Sequence, residues 1–135
     1  MAAVDELKSL LDDAVAESVG IDAVFVYDLK NSFLLHRSTQ KRAEDLLSSD
    51  AMASFGGMKN VKPALDAFAK GAKRGDFQYA IFQLEQGILN IYFETFGTKP
   101  FAVGFISASA EGTGSLLHYS QKYIEKIRPL LTRLL

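Results

Sequence analysis

The chain has no cysteine and no tryptophan, only three prolines and only two histidines in 135 residues. Without cysteine there is no disulfide framework, no thiolate nucleophile and no cysteine-ligated zinc site. This fits a reducing compartment. No apolar run approaches the 18 or so residues that a membrane-spanning helix needs. The first residues, Met1 to Asp13, are acidic and lack an apolar h-region, so they do not read as a secretory signal and the cytoplasm is the expected location. An excess of either charge is also missing. Fifteen basic residues face sixteen acidic ones, and the net charge is -1. Proteins that live by neutralising phosphates carry a basic surplus, which argues against nucleic acid as the partner.

What is present is an ordinary globular composition, 48% hydrophobic and 23% charged. The length suits one domain over 1–135, with enough surface removed from water to hold a core.

Ala3 to Ser18 places Val4, Leu7, Leu10 or Leu11, Ala14 and Val15 at helical spacing, with Gly20 as its stop. Ile21 to Asp28 is β-branched and aromatic on both faces, which places it in the middle of a sheet. Leu29 to Ser32 is a turn, with Asn31 suited to a left-handed conformation, and Phe33 to Arg37 returns as the second strand of a hairpin. Arg42 to Ala72 carries one seam, Leu47, Ala51, Ser54, Met58, Val61, Leu65 and Phe68, stepping by three and four. Gly56-Gly57 falls in mid-helix, and Pro63 predicts a kink or break between Asn60 and Pro63. Three strands follow, Asp76 to Leu84, Ile88 to Phe96 and Phe101 to Ser109, and then a helix from about Thr113 to Leu135 that Pro129 bends. The expected fold is α+β, αββαβββα in order, with an antiparallel five-stranded sheet flanked by helices.

Catalytic groups are scarce. His36 and His118 lack the spacing and the third ligand of a metal site. Glu111 to Ser115 is glycine-rich but lacks the Gly-Lys-Ser/Thr of a phosphate loop; it reads as a strand-to-helix turn capped by Thr113 or Ser115. Asp12-Asp13 and Glu44-Asp45 are adjacent pairs, whose side chains diverge on a helix and cannot serve one substrate. No enzyme, cofactor or metal is expected.

Interface material is plentiful. The third strand alternates Phe77, Tyr79 and Ile81 with Gln78, Ala80 and Phe82 and has no internal proline or lysine, so at a sheet edge it invites another strand. The second helical region adds the small residues Ala51, Ala53, Gly56 and Gly57.

Three stretches carry a resemblance to a known family: Val19 to Asp28, the strand pair Phe77 to Leu84 with Ile88 to Phe93, and Val103 to Ser109 running into Gly114-Ser115-Leu116-Leu117. In these, and in the order of its elements, nearly the whole chain resembles the roadblock / dynein light chain family. The resemblance implies a profilin-like, roadblock sheet ordered 2-1-5-4-3 with the third strand at an edge. It also implies a homodimer, or a heterodimer with a related subunit, built by pairing edge strands and second helices into a ten-stranded sheet. Family members are scaffolds and regulators, among them dynein subunits, lysosomal signalling scaffolds and bacterial partners that stimulate a Ras-like GTPase by positioning its switch regions. The implied dimer contacts are Ala51, Ser54, Phe55, Gly57, Met58, Phe77, Gln78, Tyr79, Ala80 and Ile81. The cations Arg42, Lys59, Lys62, Lys73 and Arg74 are the candidates for meeting a GTPase. The sequence departs from the family pattern at Ala23, where glycine is usual, at Pro63, and in the extension of the last helix to Leu135. Two other readings stay open: a light-chain-like adaptor in a larger assembly, and a small-molecule sensor with Tyr27, Asn90 and Tyr92 as its polar groups.

Overall fold

The computed structural model describes residues 3–31, 33–96 and 98–134, leaving aside the side chains of Phe33, Arg42, Ser54, Met58 and Lys59. Helix α1 spans Ala3–Glu17, strand β1 Ala23–Asp28 and strand β2 Phe33–Thr39. A 3-10 segment, Lys41–Leu47, leads into α2, Ser49–Ser54; a further 3-10 turn, Phe55–Gly57, leads into α3, Met58–Gly71. Strands β3 (Tyr79–Leu84), β4 (Gly87–Phe96) and β5 (Lys99–Ser107) follow, and α4, Thr113–Arg133, closes the chain.

The five strands form one antiparallel sheet in the order β2-β1-β5-β4-β3. All six residues of β1 are buried, as a strand apolar on both faces requires. One face of the sheet is covered by α1 and α4. Leu7, Leu11 and Val15 of α1 and Leu116, Tyr123, Ile124 and Ile127 of α4 pack there on Val24, Val26, Ile88, Val103 and Phe105. A leucine taken fully out of water contributes about 2 kcal/mol, and Leu7 and Leu11 are both at 0% exposure. The two helices are also clasped by Tyr123, whose hydroxyl donates to Glu17 at 3.1 Å. The other face is covered more lightly, by Leu46, Leu47, Met52 and Phe55 over Phe25, Tyr27, Ile91 and Phe93.

Gly20 has φ +97, a conformation glycine adopts without strain, and it turns the chain from α1 into β1. The hairpin turn after β1 rests on Asp28, whose Oδ1 accepts from the Lys30 and Asn31 amides at 2.9 and 3.0 Å. Ser38 donates to Asp12 at 2.8 Å, and the Gln40 side-chain amide donates to the Val15 carbonyl at 2.7 Å, tying β2 to α1.

Four expectations need correction. The region 42–72 is not one helix kinked at 60–63. It is interrupted at Ser48, whose side chain caps α2 by accepting from the Ala51 amide at 3.2 Å, and again at Phe55–Gly57. The glycine pair therefore sits in a 3-10 turn, and Pro63 lies inside a continuous α3. Strand β3 starts at Tyr79, so Phe77 and Gln78 precede it, after a turn in which Lys73 and Gly75 are both at positive φ. Strand β5 runs from Lys99 to Ser107 with Pro100 inside it, opposite Thr95. Neither Thr113 nor Ser115 caps α4. Its cap position is Gly112, and the preceding turn is held by Ser107 and Ser109, which accept from the Ser109 and Glu111 amides.

Candidate interaction face

Strand β3 pairs with β4 from Tyr79↔Tyr92 to Leu84↔Gly87, and among the described residues no strand lies on its other side. Its side chains alternate. Ala80 and Phe82 lean on the Phe25 side of the sheet, while Tyr79 packs against the α1–α4 side. Ile81 is 39% exposed and Leu84 51%, so apolar surface follows the free edge.

Helix α3 lies across a cleft from the Tyr79 end of this edge. Phe68 is 75% exposed, the largest exposure among the big apolar side chains described. Leu65, Phe68 and Ala69 face Phe77 and Tyr79 across an open cleft of about 480 Å³, with Arg74 and Asp76 at its rim. Phe77 is half-buried and meets Phe93 at 5.5 Å between ring centroids. The free strand edge and the unpaired helix face are thus contiguous.

The interface residues named from the sequence fall into three groups. Tyr79, Ala80 and Ile81 lie on the edge strand, with Phe77 and Gln78 just before it. Ala51 and Gly57 are exposed, and a Cβ added to Gly57 would meet nothing within 4 Å. Phe55 behaves differently: its ring packs edge-on against Phe25 at 4.9 Å and Tyr27 at 5.2 Å, so much of it serves the protein's own core. The side chains of Ser54 and Met58 lie outside the described residues. So do those of Arg42 and Lys59. Lys62 is engaged in its own helix, 2.7 Å from Asp66, whereas Lys73 and Arg74 are exposed where α3 ends.

Of the groups considered for a small-molecule pocket, Tyr27 lies on the Phe55 side of the sheet, away from the others. Asn90 and Tyr92, two apart on β4, face the α4 side and are both buried. Sequence reasoning missed Glu94, Ser120 and Arg128 in that neighbourhood. Arg128 donates to Glu94 at 2.7 Å, a pairing of α4 with β4 that no local spacing announces. Among the described residues no cluster of three or more histidine, aspartate and glutamate side chains is placed to hold a metal ion, and no helix is long and apolar enough to cross a membrane.

No protein-family model matches the chain, and none of the curated proteins matches it in sequence. Solved structures do match in shape. A structure described as MglB with tetrameric arrangement superposes with a TM-score of 0.77 at 15% identity, over 96% of this chain and 90% of that one. The gliding protein MglB from Thermus thermophilus gives 0.75 at 16% identity, over 98% and 90%. A Roadblock/LC7 domain from Streptomyces avermitilis gives 0.57 at 15% identity, over 92% and 96%. The fold is the roadblock fold. In this roadblock fold the strand order of the sheet and the edge position of β3 are those that the resemblance implied.

Proposed function

We propose that the chain is a non-catalytic, dimeric interaction module of the cytoplasm that binds or regulates a small Ras-like GTPase. The observation that carries this reading is the continuity of the β3 edge, unpaired among the described residues, with the half-buried Leu65 and the exposed Phe68 of α3. A bare strand edge is a template for another strand, and an exposed apolar helix face beside it needs a cover. A second copy, or a related roadblock subunit, satisfies both at once. Two β3 strands pair antiparallel into a ten-stranded sheet, and two α3 helices meet across it. Tyr79, Ala80 and Ile81 then lie on the seam, flanked by Phe77 and Gln78, with Ala51, Ser54, Phe55, Gly57 and Met58 on the helical side. Lys73 and Arg74 remain at the ends of α3 as cations for a partner, joined by Arg42, Lys59 and Lys62. The likeness in shape to MglB structures supports the same reading.

The module acts by shape and charge rather than by chemistry of its own. It holds the partner's mobile loops in one arrangement, and the partner's own residues turn over its nucleotide. Two measurements test this. Light scattering at micromolar concentration is expected to give twice the chain mass, and a strict monomer would overturn the dimer. GTP turnover by Ras-like proteins is expected to change when the chain is added. A stable dimer that neither binds nor alters any of them would overturn the GTPase part and leave a structural adaptor.

A further inference from the structure

Two apolar features stand at opposite ends of β3, on the face of the sheet away from α1 and α4. At the Leu84 end is a pocket of about 190 Å³, walled by Phe25, Met52, Phe55, Leu84 and Ile106, with the exposed Ala51 also lining it. Every described residue that lines it is apolar. At the Tyr79 end is Phe68, 75% exposed, on the cleft that it shares with Phe77. Phe25, Met52, Phe55, Ile106 and Phe77 all belong to the one apolar cluster on that face. The pocket is a hole without a filling, and Phe68 is a ring without a seat.

Within one chain the two stay apart. Tyr79 and Leu84 are the first and last residues of β3, separated by five strand steps, about 17 Å. Antiparallel pairing of β3 with β3 of a second copy, centred between Ile81 and Phe82, sets Tyr79 of each copy opposite Leu84 of the other. The two-fold axis is then perpendicular to the sheet, so the face that carries the pocket and Phe68 is the same face in both copies. One rotation therefore carries each Phe68 toward the other copy's pocket, with the reciprocity of an isologous contact. The size fits, since an apolar cavity of about 150 Å³ holds a benzene ring. The charges fit as well. Lys70, Lys73 and Arg74 are exposed around the end of α3, with Asp76 the acidic residue beside them. Three residues that line the pocket, Leu46, Ala51 and Leu84, each stand next in sequence to an exposed carboxylate, Asp45, Asp50 and Glu85.

We propose that Phe68 of each copy seats in this pocket of the other, so that the pocket is completed only by a second copy of this chain. The inference rests on the β3 pairing proposed above and adds to it a place for the ring and a source of specificity. A partner with a small residue at that position leaves the hole open, and one with a polar residue there buries it against an apolar wall. The seat also touches the protein's own core, because Phe55, which walls the pocket, meets Phe25 at 4.9 Å.

Light scattering first establishes whether the chain pairs. A deuterated copy with protonated methyl groups only at methionine is then mixed with an unlabelled copy, so that an NMR cross-peak from the Met52 methyl to aromatic protons can arise only between copies. That cross-peak is expected, and it is expected to vanish when the unlabelled copy carries Phe68→Leu. Ala51→Phe, at an exposed position of α2, places a ring of the chain's own at the pocket. It should leave the unfolding midpoint of the dilute chain unchanged and weaken pairing about tenfold. Phe68→Ala is expected to weaken pairing about tenfold as well. The two together should weaken it no further than one alone, because both act on a single contact. A pair without the cross-peak, a pair that Ala51→Phe leaves as tight as before, or losses that multiply to about a hundredfold would overturn the seat and leave the β3 pairing standing. A monomer in light scattering would overturn both.

Discussion

Phe25 of β1 and Gly104 of β5 stand directly opposite each other, and the phenyl ring lies over the glycine. A Cβ on residue 104 would come within 2.3 Å of Cε1 and Cζ of that ring. The same ring meets Phe55 edge-on at 4.9 Å. The missing side chain at 104 therefore seats a ring that in turn anchors the turn leading into α3, the helix of the proposed interface.

Gly104→Ala is accordingly expected to destabilise the protein by about 1–3 kcal/mol, the usual cost of overpacking a filled core. Urea unfolding followed by circular dichroism reads this as a lower midpoint. Phe25→Leu in the same chain should recover part of the loss, since the two residues share one space and their effects are not independent. An unshifted midpoint in the single variant would mean that the ring has another seat.

Asp28 offers a second test, in a turn. It is 3% exposed, and it accepts from two backbone amides and, at 3.1 Å, from the Asn31 side chain. Asp28→Ala leaves these donors without that acceptor and is expected to cost about 1–3 kcal/mol. Asp28→Asn can keep an oxygen in the Oδ1 position and with it the two backbone bonds. Its loss should be clearly the smaller one in thermal unfolding, and equal losses would place the effect in the charge rather than in the turn.

The elements that could be read from the sequence are those whose periodicity is decided by their own chain's core. In α1 the residues Leu7, Leu11, Ala14 and Val15 are all buried, and in α4 so are Leu116, Tyr123, Ile124 and Ile127. Strand β1, apolar on both faces, sits inside the sheet as its composition requires. The stretch from 41 to 71 was harder for a physical reason. Leu47 and Phe55 serve the sheet, while Leu65 and Phe68, which continue the seam that Leu47 begins, face an open cleft. One apolar seam thus answers to two surroundings, and spacing alone does not say where one ends. The polar groups on the α4 side were half legible. Alternation along β4 puts Asn90, Tyr92 and Glu94 on one face, but the pairing of Glu94 with Arg128 depends on how α4 docks, which is a tertiary fact.

His36 gives the pH dependence a sign. Burial lowers its pKa below the ordinary histidine value, and the positive charge of Lys8 acts in the same direction. The unfolded chain therefore takes up a proton on this residue at a higher pH than the folded one does. As pH falls through about 6.5, protons favour the unfolded state, and stability is lost until the folded imidazole also titrates. The drop in Tm between pH 7.5 and 5.5 is expected to be smaller in His36→Gln than in the parent protein. The same drop in both would assign the pH dependence to other groups.

Phe68 separates a surface that is merely greasy from one that is used. At 75% exposure its ring contributes little to the single chain, so replacing it should leave folding intact. If a second copy covers α3, the same ring is buried in the pair, and a carboxylate there would be desolvated without a partner. Phe68→Glu is expected to keep the Tm of the dilute protein within about 1 °C of its value. Sedimentation equilibrium should find the dimer weakened by about tenfold or more. Lys62→Ala, which breaks the pair with Asp66 inside one helix, serves as the comparison, since an i,i+4 helix pair contributes only about 0.3–0.5 kcal/mol. Should Phe68→Glu associate as tightly as the parent, α3 lies outside the contact and the seam must run along β3 alone.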